Sequence, residues 1–262
     1  MNPGISSGPN ADNLAMDNQA WHQRFLLQSL WTKQLRAYIQ KKAALTPKSM
    51  ILDVGCGTGV LLNEHYQISQ QLHGVDLDLK RCEFAYKSNP QAFIVNGNAL
   101  LLPYENASFD FVYCQYLLLW IPDTLKALIE LRRVCKSGGF IALYAEPDYG
   151  ARIDYPDSFK EIGYYQNLSL KKQGVQLEIG RQLRDHLIKI GFEDITMGML
   201  SGEWRINTVE QFHLEWEIIS HDLGFVLSKH HILDLYTQAL HDWQKNSAFS
   251  FIPTFYAIAK VP

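Results

Sequence analysis

The sequence predicts an α/β fold, a doubly wound parallel sheet with a helical cap, on three observations. Between about residues 50 and 145, short apolar runs of strand length alternate with segments of helical periodicity. The run Ile51 to Leu62 reads as a buried strand, a turn holding Gly55, Gly57 and Gly59 at alternate positions, and an apolar helix start. A chain of 262 residues with 47% hydrophobic composition supplies one large core, with room for a small additional lobe.

Residues 1–19 carry Asn, Gly, Ser, Pro and Asp with few large apolar groups, too few to offset the entropy of ordering, and are expected to form a disordered tail. From Trp21 onward Phe25, Leu26, Leu30, Leu35, Tyr38 and Ile39 recur at helical spacing, so 20–46 reads as N-terminal lid helices ending at Thr46-Pro47. The core, 47–148, follows as strand 50–54, helix 58–67, strand 71–76, helix 79–88, strands 92–95 and 109–114, helix 123–135 and strand 139–145. Parallel neighbours need crossover helices, which this alternation provides. Asp123 is expected to cap the fourth helix and Ser137-Gly138-Gly139 to turn out of it.

The rhythm lapses over 149–175, which shows little periodicity; 149–200 reads as a cap segment followed by a helix at 176–190 and a strand at 193–200 that complete the core. The span 201–248 reads as a helical cap insertion carrying Trp204, Phe212, Trp216, Leu223, Leu233, Tyr236 and Trp243, and 249–262 as the last core strand. The insertion is too long for a structureless loop, and its aromatic residues suit either the core of a lobe or the lining of an apolar chamber.

Composition narrows the function classes. With 24 basic against 27 acidic residues and a net charge of -3, no basic field draws the chain to nucleic acid or anionic lipid. Cys56, Cys82, Cys114 and Cys135 form no Cys-x-x-Cys pair, which suits neither a zinc site nor a disulfide framework and fits a reducing, cytoplasmic setting. No apolar run approaches the roughly 20 residues that span a bilayer, so membrane insertion is not expected.

The glycine turn carries the chemistry. A dinucleotide fingerprint places its third glycine three residues after the second; here the spacing is even, and Asp53 stands just ahead in the strand. A carboxylate there repels a phosphate and suits an amino group or a sulfonium. Asp76, in Val75-Asp76-Leu77, lies about 20 residues on, where an acid accepts ribose hydroxyls. Gly97-Asn98-Ala99 follows the third strand, where an amide meets an adenine edge, and Gln115 and Tyr116 follow the fourth. Glu146 reads as a solvated loop acid; His230, His231 and Asp234 as a helix face, since adjacent helical residues point about 100° apart; and His213 and His221 as ordinary cap histidines.

Together these residues resemble the class I S-adenosylmethionine-dependent methyltransferases, and within them the quinone and small-molecule branch. Asp53 to Gly59 is similar to the family's first motif, Gly74-Val75-Asp76 to its acidic second, and Gly97-Asn98-Ala99 through Leu102-Pro103 to its third. Ser108 to Val112 resembles the fourth strand, and Leu131 to Gly139 the helix and turn before the fifth. The resemblance implies a Rossmann-like seven-stranded sheet with an antiparallel final strand, and S-adenosyl-L-methionine as cofactor with S-adenosyl-L-homocysteine as product. It implies methyl transfer to O, N or C of a mainly apolar small molecule, with no metal. The cofactor-binding set it implies is Asp53, Gly55, Cys56, Gly57, Gly59, Asp76, Leu77, Asn98, Ala99 and Gln115; no catalytic residue is assigned. Asn98 departs from the family's more usual Asp. The alternatives are a nicotinamide-dependent oxidoreductase, opposed by the glycine spacing and Asp53, a non-catalytic S-adenosylmethionine-binding protein, and a peptide methyltransferase, opposed by an enclosing cap. Oligomeric state is left open.

Overall fold

The computed structural model describes residues 17–200 and 209–262. Most of the expected tail, together with Trp204 and the start of the cap insertion, lies outside the described residues. Asp17 accepts a hydrogen bond from the Ala20 N–H and caps α1 (Asn18–Lys42), a single helix where the periodicity allowed two.

The core alternates as anticipated: β1 (Ile51–Val54), α2 (Val60–His65), β2 (Leu72–Asp76), α3 (Leu79–Ser88), β3 (Phe93–Asn96), β4 (Phe109–Cys114), α4 (Thr124–Val134) and β5 (Cys135–Pro147). After it come β6 (Ile153–Tyr155), α5 (Asp157–Lys172), α6 (Ile179–Ile190), β7 (Glu193–Leu200), α7 (Val209–Leu223), α8 (Lys229–Gln244), β8 (Phe249–Phe251) and β9 (Thr254–Lys260). The main sheet has seven strands in the order β3-β2-β1-β4-β5-β9-β7. Strand β9 runs antiparallel to both its neighbours, pairing Ala142 with Ile258 on one side and Leu200 with Thr254 on the other. The chain passes from β1 outward to β3, then returns to the opposite side of β1 for β4. That reversal opens a crevice at the C-terminal ends of β1 and β4, where ligands of doubly wound sheets bind.

Strand side chains alternate between two faces. Leu52 and Val54 point toward α4 and α6, into a core with Val112, Leu128, Leu131, Ile141, Leu143, Leu183 and Leu187. Ile51 points the other way, into a second core with Ile39, Leu62, Leu72, Phe111, Tyr113, Tyr144 and Ile258 under α1 and α2. Asp53 shares that second face by the same alternation. Each such Leu or Ile, fully buried, contributes about 1.5–3 kcal/mol. The cap has its own core of Ile162, Phe212, Trp216, Leu223, Leu235 and Ala239 from α5, α7 and α8, which assigns most of its aromatics to packing.

Three expectations are corrected. Helix α5 fills most of the stretch read as aperiodic: its core-facing positions 162, 163, 166, 169 and 170 keep helical spacing but include Gly163, Gln166 and Ser169, so hydrophobicity does not mark them. The last strand starts at Thr254, because Pro253, without an N–H, splits it from β8, which instead pairs with β6 as a separate ribbon. Ser137-Gly138-Gly139 does not leave the sheet: Gly138, at φ 78°, donates to the Val261 carbonyl inside a β5 that begins at Cys135. The described part of the cap is helical as expected, formed by α7 and by α8, which Ser228 caps through the His231 N–H.

Candidate active site

The turn after β1 is built from backbone in the left-handed region, Gly55 at φ 76°, Gly57 at 54° and Gly59 at 79°, a conformation that favours glycine. It is anchored to β2: the Gly55 and Cys56 N–H groups donate to the Val75 carbonyl, and Gly57 N–H donates to Asp76 Oδ2 at 2.8 Å. Asp76 is buried, and its second oxygen accepts from the Asp78 N–H at 2.9 Å. Each of its oxygens keeps lone-pair capacity for a further donor at the mouth of the turn.

Asp53 lies beneath the turn, 3% exposed, and no Lys, Arg or His is paired with it among the described residues. Burial pushes its carboxyl up to about 8; the nearby Asp76 charge adds to the rise, while the Tyr113 hydroxyl and the Arg36 guanidinium oppose it. A buried acid held near neutrality in this way is poised for a cation. Cys56 is placed differently from the other turn residues. Its side chain packs into the core against Gly74, and burial raises its thiol well above the usual value, so only its backbone faces the turn.

The loop after β3 is tied to the end of β2: the Asn96 amide donates to the carbonyls of Asp76 and Leu77, and Gly97 N–H donates to the Asp76 carbonyl. This brings Asn98 and Ala99 to the same end of the sheet as Asp76. Ala99 is buried and Asn98 exposed, with its side-chain oxygen accepting from Leu100 N–H at 2.9 Å, which leaves the amide NH₂ as the group to present outward. Leu77, 73% exposed, forms an apolar rim beside them.

Past β4 the chain turns sharply. Tyr116 adopts φ 53° and Leu117 packs on Gly55, where a Cβ would lie 2.7 Å from Leu117 Cδ1. Glu146, at the end of β5, holds this turn. It is fully buried, not solvated as read from sequence, and accepts from Leu117 and Leu118 N–H at 3.1 Å and Leu119 N–H at 3.2 Å. Burial raises it to about 7 against the pull of those donors. Because this lies above the ordinary value of 4.5, Glu146 favours the native state most at low pH, and that contribution is lost as pH rises through about 7. Replacing it, in Glu146→Ala, orphans three N–H groups and opens a void; urea titration is expected to show a loss of about 3 kcal/mol or more.

Helix α1 covers the site and supplies residues that sequence reasoning missed. Phe25 lies on Gly57, with Cε2 2.9 Å from where a Cβ would be. The His22 imidazole is hydrogen-bonded to Thr58 Oγ1 at 2.9 Å, and Arg81 of α3 stacks under Trp21 and Phe25 at 5.4 and 5.8 Å. Arg24 reaches the cap, pairing with Glu215 at 2.9 Å. Thr32 donates to Gln115 Oε1 at 2.8 Å, and the buried Arg36 donates to Thr32 and pairs with Glu64. The one sequence signal for these is a cation, Arg36, between the apolar positions Leu35 and Ile39. His230 and His231 do form a helix surface, paired with Asp234 and Glu161.

Comparison with known proteins follows this geometry. A family profile described as a methyltransferase domain matches residues 52–143. The demethylmenaquinone methyltransferase of Lysinibacillus sphaericus is 36% identical over 107 residues, 38% of this chain and 46% of the relative. The sterol 4-C-methyltransferase of Caenorhabditis elegans is 29% identical over 142 residues, 52% of this chain and 41% of the relative. The chain thus spans under half the length of each of these two curated relatives. Among solved structures, phosphoethanolamine N-methyltransferase 2 of Haemonchus contortus, in complex with phosphomonomethylethanolamine and S-adenosylhomocysteine, matches with a TM-score of 0.58 at 21% identity. That match covers 88% of this chain and 52% of the other, and shows a shared fold. No helix among the described residues is long and apolar enough to cross a membrane.

Proposed function

We propose that a class I S-adenosylmethionine-dependent methyltransferase domain forms the core of this chain and that the protein transfers the cofactor's methyl group to oxygen, nitrogen or carbon of a mainly apolar small molecule. The observation that carries this reading is Asp53: a buried acid with no ion-pair partner among the described residues, directly beneath glycine backbone held in the left-handed region. Such a position favours a positively charged ligand and disfavours a pyrophosphate.

Asp53 and the turn at Gly55, Gly57 and Gly59 receive the amino-acid end of the cofactor, with the backbone of Cys56. Asp76 accepts from the ribose hydroxyls through lone pairs left by Gly57 and Asp78. Leu77, Asn98 and Ala99 border the adenine, and Gln115 approaches the amino-acid end from β4. The bound cofactor supplies a methyl carbon that already bears a good leaving group. What the chain must add is alignment and exclusion of water. Helix α1 and the cap supply the exclusion, through Phe25 on Gly57 and Arg24 on Glu215. We divide the chain accordingly into a lid at 20–46, a cofactor-binding core at 47–148, a segment at 149–200 that gives α5 to the cap and α6 and β7 to the core, a cap at 201–248, and 249–262, which ends in the core strand β9.

An apolar acceptor agrees with the relatives, whose names specify a demethylated quinone and a sterol. Four buried, unpaired cysteines fit a reducing, cytoplasmic setting, and the net charge of -3 argues against a nucleic acid partner. Thermal melting tests the cofactor reading. S-adenosylhomocysteine at a hundredfold excess over its Kd is expected to stabilise the native state by about 2.7 kcal/mol, while nicotinamide dinucleotides leave the midpoint unmoved. The reverse pattern overturns the proposal.

A further inference from the structure

Resting on that reading, we propose that Thr32 and Arg36 of the N-terminal helix are positioning residues that orient Gln115 as a hydrogen-bond donor to the carboxylate of the cofactor's amino-acid end.

The direction of the relay follows from its donors. A guanidinium only donates, so Arg36 donates a hydrogen bond to Thr32 Oγ1 and another to the Ser29 carbonyl at 2.8 Å. The Thr32 hydroxyl carries one hydrogen. Its distance to Gln115 Oε1, 2.8 Å, is shorter than the 3.3 Å to the Ser29 carbonyl, so that hydrogen goes to Gln115. With its oxygen engaged by Thr32, the group Gln115 has left to offer is its NH₂, two donors and no acceptor. A charged donor behind the first hydroxyl polarises the series.

The relay is rigid and protected. Thr32 is fully buried, Arg36 is 1% exposed, and Glu64 holds the far side of the guanidinium through two hydrogen bonds, so the charge is balanced inside the fold. Asp53 lies close enough to Arg36 for the two charges to influence each other. Asp53 pairs in register with Tyr113, two residues before Gln115, so an acceptor for an ammonium and a donor for a carboxylate stand at the same end of β1 and β4, the two poles of one zwitterion.

Calorimetric binding of two ligands decides the matter: S-adenosylhomocysteine, and its decarboxylated analogue, which keeps the amine and lacks the carboxylate. In Thr32→Val, which has nearly the same shape but no hydroxyl, affinity for S-adenosylhomocysteine is expected to fall about tenfold and affinity for the analogue to change less than about twofold. Thr32→Ser is expected to restore binding. Gln115→Glu keeps the acceptor for Thr32 but sets a negative charge where the donors were, and is expected to show a larger loss confined to the carboxylate ligand. Equal loss for both ligands, or no loss in either variant, overturns the relay. Should Thr32→Val fail to fold by circular dichroism, Thr32→Ala, which also lacks the hydroxyl, is read with the same two ligands in its place. Wild-type protein that binds neither ligand refutes the cofactor reading itself, an outcome separate from these.

Discussion

Asp76→Ala is expected to lower affinity for S-adenosylhomocysteine on the order of a hundredfold, measured by calorimetry, while circular dichroism still reports a folded protein. The size follows from two hydrogen bonds between an ionised acceptor and ribose hydroxyls, each worth about 1.5–3 kcal/mol when charge-assisted. A stability change accompanies it. Asp76 also accepts from the N–H groups of Gly57 and Asp78, so its removal leaves both without that partner at the end of β2. A loss of about 1–3 kcal/mol is expected in the ligand-free protein. Asp76→Asn separates the two effects: its one remaining oxygen keeps part of the bracing, but it cannot supply a charged acceptor. Unchanged affinity in both variants would remove Asp76 from the ribose site.

The second large effect is the pH dependence of cofactor binding. Asp53 stands at about 8 in the free protein because burial penalises its charge. An ammonium or sulfonium bound beside it favours the ionised form and draws its pKa down. Between the bound and free values, each binding event expels a proton, so affinity rises with pH and levels off above about 8. At its steepest the change approaches tenfold per pH unit. Calorimetry at pH 7 in two buffers of different ionisation enthalpy is expected to count close to one proton released per ligand. Asp53→Asn is expected to abolish both the release and the slope. A bound anion would reverse the sign, causing proton uptake, so the same titration separates a cationic adenosyl ligand from a pyrophosphate.

The parts of this molecule that could be read from its residues are those where local chemistry and tertiary role coincide. Helix α3 and strand β4 have the bounds expected of them, because Asp78 caps α3 through the Lys80 and Arg81 N–H groups and β4 is a short apolar run buried at nearly every position. The glycine turn and its two acids were legible for the same reason: left-handed backbone, strand-end carboxylates and their spacing are local properties. Helix α5 was hidden because its inward positions hold Gly163, Gln166 and Ser169, which pack by size and by hydrogen bonds to Arg152 and Asp222. Glu146 looked solvated because nothing nearby in the chain announces the three N–H groups, from residues 117 to 119, that surround it. Thr32 and Arg36 resemble ordinary surface positions of a helix until Gln115 and Glu64, 83 and 28 residues away, are brought against them. The break in the last strand is local, at Pro253, which lacks an N–H, but the pairing of β8 with β6 joins residues about 95 apart in the chain and leaves no local mark.

The pairing of Leu200 with Thr254 carries a consequence for how such a protein diversifies. Everything from 201 to 253 departs from and rejoins two hydrogen-bonded neighbours at one edge of the sheet. It is topologically an enlarged hairpin loop, and loop closure entropy grows only as the logarithm of length. Evolution can therefore lengthen, shorten or rewrite that excursion, and with it the range of acceptors admitted, while the cofactor cradle on the far side of β5 keeps its register.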